Sequence, residues 1–120
     1  MTKLKINIKS LRNLVNKEGV SGKNDIYIVI KVGMCEKFKT KTFENAKDNC
    51  EFNETFDLEA DEGDLIKFKV LDEDTLIDDE TGHFEINVDE VVEKGKVDDW
   101  FDIGIDSQWT GEINLSLEIV

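Results

Sequence analysis

Residues 65–88, LIKFKVLDEDTLIDDETGHFEINV, hold two runs in which apolar and polar residues alternate, with a dense acidic stretch between them. Ile66, Phe68 and Val70 alternate in the first run, and Phe84, Ile86 and Val88 in the second. Successive side chains of a strand point to opposite faces, so a period of two places each trio on one face of a half-buried strand. The connection gathers Asp72, Glu73, Asp74, Asp78 and Asp79 and holds Leu76 and Ile77 at its middle. Carboxylates crowded together repel one another, and apolar side chains at a loop tip have nothing to pack on, so the stretch needs an explanation beyond solubility.

The same alternation runs through KLKINIK (3–9), with Leu4, Ile6 and Ile8 on one face, and through GEINLSLEI (111–119), with Ile113, Leu115, Leu117 and Ile119. Adding DIYIVIKV, KFKTKTF, EFNETFDL and DWFDIG gives eight strands, and DEVVEKGK (89–96) predicts one short helical turn. Many short strands joined by Gly-, Asn-, Asp- and Glu-rich connections predict an all-β fold, an eight-stranded antiparallel β-sandwich. A chain of 120 residues fits a single domain over 1–120 with one core. If the strands run alternately up and down, the connections 10–24, 44–50, 72–82 and 105–110 fall at one end. Glu18 and Asp25 then face the acidic cluster of 72–79.

The net charge of −13 is unevenly spread: residues 1–42 hold ten of the fifteen Lys and Arg against Glu18, Asp25 and Glu36 only, leaving the rest of the chain strongly acidic. Such a chain repels phosphate, which argues against nucleic acid as a partner. MTKLKINIKS lacks the apolar segment of a signal peptide, and no run approaches the ~20 apolar residues that span a bilayer, so a cytoplasmic location is expected. Cys35 and Cys50 form neither a disulfide framework nor a zinc spacing and are expected to be buried or half-buried free thiols. His83, the one histidine, stands without an evident nucleophile, and no elbow, P-loop or triad order is present, so no enzymatic activity is expected.

Carboxylates brought together on a rigid scaffold repel at roughly 1 to 4 kcal/mol per close pair, a cost that a bound cation removes. Calcium suits such a site, since it takes six to eight oxygens in loose geometry, whereas zinc prefers nitrogen or sulfur. An EF-hand does not fit: Ile77 stands where that loop needs glycine, and strands replace its flanking helices.

Several stretches in order resemble the C2 domain of protein kinase C and synaptotagmin. LRNLVNKEGVSGKNDIYIVIKV (11–32) resembles that family's first strand and first calcium loop, FKTKT (38–42) and NCEFNETFDL (49–58) its Lys-Thr strand and Asn-Glu-x-Phe motif. VLDEDTLIDDETGHFEI (70–86) resembles the third calcium loop, and WFDIG with GEINLSL the closing strands. The order implies the permuted topology of the phospholipase type. The resemblance implies Asp25, Asp72, Asp74 and Asp79 as calcium ligands, the backbone carbonyl of Glu73 as another, and Asp78 as the alternative to Asp79. The family's first-loop aspartate falls at Gly19, so that ligand is either missing or replaced by Glu18.

In that frame Val20, Leu76 and Ile77 are expected to insert into the headgroup boundary of an anionic membrane, each contributing about 1.5 to 3 kcal/mol at most. Lys37, Lys39 and Lys41 alternate along KFKTKT and are expected to form a row for anionic headgroups, phosphatidylserine and phosphoinositides among them. The expected function is calcium-dependent binding to anionic phospholipid membranes by a peripheral, monomeric protein. The alternative is a calcium-independent C2-like module that binds a protein partner.

Overall fold

The computed structural model describes residues 1–15, 24–73 and 77–120. Of the expected site residues, Glu18, Gly19, Val20, Asp74 and Leu76 lie outside these. Among the described residues nine strands and one helix follow one another as β1 (Thr2–Arg12), β2 (Asn24–Val32), β3 (Cys35–Lys39), β4 (Phe43–Ala46), β5 (Cys50–Ala60), β6 (Leu65–Asp72), β7 (Asp79–Asn87), α1 (Val88–Lys94), β8 (Lys96–Ile105) and β9 (Gln108–Ile119). The strands pair antiparallel in the order β3-β2-β6-β7-β8-β9-β1-β5, with the short β4 also on β2. The all-β sandwich is as expected. Its additional strand arises because KFKTKTF is not one strand but the end of β3 and the start of β4.

Thr40 makes that break. It is buried, and its hydroxyl accepts from the Ile28 N–H and donates to the Lys41 carbonyl, both at 2.9 Å. A side chain thus takes over a backbone ladder position, and the strand stops at Lys39.

The core lies between the two halves of the sheet. Ile26, Ile28 and Ile30 of β2, Ile66, Phe68 and Val70 of β6, Leu4, Ile6 and Ile8 of β1, and Ile113, Leu115 and Leu117 of β9 are all buried. In β1 the alternation breaks after Ile8, where a bulge shifts the register against both neighbours, so that Leu11 reaches the core. The halves are joined by a thin seam: β7 and β8 share a single registered pair, His83 with Gly104. Phe68, Phe84 and Phe101 stack across it, with centroids 6.4 and 4.4 Å apart. At the opposite side Phe38 and Phe56, 5.1 Å apart, bring β3 and β5 together.

The helix α1 forms at the far turn. The Asn87 side chain accepts from the Asp89 N–H at 2.9 Å, Gly95 closes the C-terminus at φ 77°, and Val88 and Val91 bury its apolar side.

Cys50 is buried, and burial pushes its thiol up to about 12. Cys35 departs from the expectation and is exposed, since it opens the edge strand β3 just after the Gly33–Met34 turn. A thiol reagent at pH 8 should therefore modify Cys35 in the folded protein and Cys50 only on unfolding, a difference that mass spectrometry of labelled peptides reads directly. Equal labelling rates would contradict this packing.

The close approach of β8 and β9 at Gly104 is equally testable. A Cβ at Gly104 would stand 2.5 Å from the Gln108 carbonyl oxygen, a backbone atom that cannot step aside. Gly104→Ala should lower stability by about 1 to 3 kcal/mol, read from urea unfolding, while an unchanged midpoint would show that the β8–β9 turn yields.

Candidate metal centre

The four connections expected to share an end do meet. The Leu14 N–H donates to the Asp48 carbonyl at 3.1 Å and the Val15 N–H to Thr110 at 2.9 Å, which ties the first connection to the second and to β9. The Glu73 N–H donates to the Asp25 carbonyl at 2.8 Å, joining the third. Between them opens a cleft of about 320 Å³, lined by Val15, Asn24, Asp72, Asp79, Glu80, Thr81, Ile105 and Asp106.

Strand alternation decides which carboxylates face it. Phe68 and Val70 point into the core, so Asp72, next on that face, emerges where the core ends. Its partner in β7 depends on one irregularity. Val70 pairs with Gly82 but Leu71 with Glu80, so Thr81 is an extra residue, a bulge in β7. Its hydroxyl donates to the Val70 carbonyl at 3.1 Å. The bulge changes the parity of the strand: Glu80 still borders the cleft, but its carboxylate reaches the outer face, 3.6 Å from the Lys69 ammonium and 2.9 Å from His83 Nδ1, and Asp79 comes directly opposite Asp72.

Asp25 is held by three ties. Its N–H donates to Asp72 Oδ1 at 3.0 Å, its carbonyl accepts from Glu73, and its Oδ1 accepts from the Asn45 N–H at 3.0 Å. The Glu73 carboxylate accepts from the Thr42 hydroxyl at 3.1 Å. Asp78 lies on the other face, where Tyr27 donates a short hydrogen bond to its Oδ2. Burial, first, and the Asp78 carboxylate, second, push the Tyr27 hydroxyl well above its ordinary range, so it stays a donor.

The described residues lining the cleft offer only oxygen donors, from carboxylates, an amide and a hydroxyl, with no histidine or cysteine. That donor set fits a hard cation such as calcium. Among the described residues no three acidic, His or Cys side chains converge closely enough to enclose an ion, and Asp74, an expected ligand, lies outside them. Asp106 escaped the reading of the sequence. It sits with Ser107 in the two-residue turn between β8 and β9, both at positive φ, and reaches the cleft because that turn closes beside β7.

Ile77 is 77% exposed and Val15 44%, so apolar side chains do stand open beside the acidic end. Lys37, Lys39 and Lys41 are all exposed, but not as one regular row. Lys37 is the extra residue where the β2–β3 register shifts, Lys39 lies 4.3 Å over the Tyr27 ring, and Lys41 follows the strand end, its N–H donating to Glu54 at 3.0 Å. No helix among the described residues is long and apolar enough to cross a membrane.

Comparison with known proteins agrees with this architecture. The C2 domain family model matches residues 2–103. Extended synaptotagmin-2-A of Xenopus laevis is 33% identical over 101 residues, 82% of this chain and 11% of that protein. The chain spans about a tenth of the length of the curated relatives it matches. Among solved structures, the paired C2 domains of extended synaptotagmin 2 superpose with a TM-score of 0.83 at 27% identity, over 98% of this chain and 40% of the other. The calcium-bound form of the same pair gives 0.82 at 26% identity, over 98% and 45%. The matched residues run from the first strand through the acidic connection to β8, and the chain belongs to the C2 domain family.

Proposed function

We propose that this C2 module, taken as a single domain over 1–120, binds anionic phospholipid membranes in response to calcium. The observation behind the proposal is the placement of Asp72 opposite Asp79 at a cleft whose described polar side chains offer a metal only oxygen. Like charges directly opposite on a sheet destabilise it, and a divalent cation reverses that sign. Asp25, Asp72, Asp74 and Asp79 are the proposed ligands, with the Glu73 carbonyl beside them. The Glu73 carboxylate is occupied by Thr42, so its contribution is from the backbone. Glu18 is the proposed substitute for the carboxylate absent at Gly19. A calcium-bound extended synaptotagmin 2 pair among the structural relatives supports the choice of ion.

Bound calcium supplies positive charge to an end that otherwise repels phosphates, and lipid headgroups complete the oxygen shell. Ile77, with Leu76 and Val20, then enters the headgroup boundary. Lys37, Lys39 and Lys41 add attraction to anionic headgroups on the neighbouring face. Free thiols suit a reducing compartment, and we place the protein, a monomer without enzymatic activity, at the cytoplasmic surface of a membrane. Calcium and lipid then raise each other's affinity, as linkage requires.

Co-sedimentation with phosphatidylserine vesicles should occur with calcium and not with chelator, and should fail on neutral phosphatidylcholine. Asp72→Asn keeps the acceptor for the Asp25 N–H and so the fold, but should abolish calcium-dependent binding. Retained binding would reject the ligand assignment. Ile77→Asn should weaken vesicle binding about tenfold or more, from the loss of one buried aliphatic side chain, without altering calcium affinity measured in the absence of lipid. Calcium-independent capture of a protein, with no vesicle binding under any condition, would instead favour the interaction module.

A further inference from the structure

Tyr27 joins two surfaces that the proposed function uses separately. It is buried on the outer face of β2, beside Val29 and Leu71, with its hydroxyl at the exit of the third acidic connection and its ring beneath Lys39. The cross-strand register pairs Tyr27 with Leu71, on the face opposite to Asp72. Asp78 and Asp79 are adjacent in the chain and both are acidic, yet Asp79 lines the cleft and Asp78 meets Tyr27. Nothing in residue type alone distinguishes them.

We propose that Tyr27 is a positioning residue that holds Asp78 on the outer face and thereby presents Asp79, opposite Asp72, as the carboxylate for the cation. The inference rests on the reading of this end as a calcium site. A phenolic hydroxyl bonded to a carboxylate fixes the chain direction at Asp78, the residue just before β7 begins. The ring beneath Lys39 fixes the phenol in turn, because packing and the cation above it leave the hydroxyl one direction in which to point. Asp78 acts here through the hydrogen bond and not through its charge, and this separates the proposal from direct coordination.

The distinction yields a test by calorimetric calcium titration without lipid, with circular dichroism as the control for folding. Tyr27→Phe keeps the ring and removes the donor, and Asp78→Ala removes the acceptor. Each should weaken calcium binding about tenfold, the scale of one hydrogen bond to a charged group, and the double variant should be no weaker than either single one. Asp78→Asn retains an acceptor oxygen for the Tyr27 hydroxyl and should rescue affinity to within about twofold of the parent. Loss of affinity in Asp78→Asn equal to that in Asp79→Asn would overturn the proposal by making Asp78 a ligand, as would additive losses in the double variant. Amide hydrogen exchange in calcium-free protein separates this failure from that of the calcium reading. Exchange at residues 79–81 should quicken in Tyr27→Phe and Asp78→Ala but not in Asp78→Asn. Unchanged exchange in the first two overturns the latch whether or not the parent binds calcium.

Discussion

The register of β6 against β7 sets Phe68 opposite Phe84 in the core and, beyond the Thr81 bulge, Asp72 opposite Asp79 at the rim. Both ends of that pairing depend on one constraint. A slip of one residue would send Phe84 and Ile86 to solvent, and burying an aromatic or aliphatic side chain is worth about 1.5 to 3 kcal/mol, so the core holds the register. The rim inherits the result. Two carboxylates that would separate if free are held across from each other by apolar residues several positions away, an electrostatic cost that the proposed cation relieves.

The rest of the acidic end is arranged around that pair. The Asp25 N–H satisfies one Asp72 oxygen, and the Asn45 N–H holds the Asp25 carboxylate, so the β2–β6 side of the acidic end is fixed by backbone donors. Hydrogen bonds from neutral donors orient a carboxylate without cancelling its charge. The far end of the domain, with α1 and the Gly33–Met34 turn, takes no part. The strongly acidic remainder of the sequence and the basic residues 1–42 are interleaved in space: Lys39 of β3 stands over Tyr27, whose hydroxyl reaches the acidic connection. The charge asymmetry visible in composition does not divide the molecule into two halves, because β1 and β2 of the basic segment pair with β5, β9 and β6 of the acidic remainder.

Much of this could be read from alternation alone. The core positions of β6, β7 and β9 were legible because unbroken period-two runs leave one face apolar, and DEVVEKGK announced the helical turn, whose caps at Asn87 and Gly95 the structure adds. Bulges were not legible. The shift after Ile8, the extra Lys37 and the extra Thr81 each change which side a residue faces, and each is fixed by neighbouring strands that a local pattern does not show. That is why Lys37, Lys39 and Lys41 read as a row and are not one, and why Asp78 and Asp79 could not be told apart. Asp106 was hidden for a different reason: a two-residue turn becomes part of a cleft only through the closing of β8 against β7.

Thermal unfolding in a calcium titration, with magnesium as the comparison, probes the acidic end without any membrane, because a ligand that binds only the folded state raises its stability by mass action. If the acidic end holds calcium, the midpoint climbs steadily with calcium, climbs far less with magnesium, and is flat for Asp72→Asn. A midpoint unmoved by calcium in the millimolar range, or moved equally by both ions, would contradict the assignment of the acidic end as a calcium site.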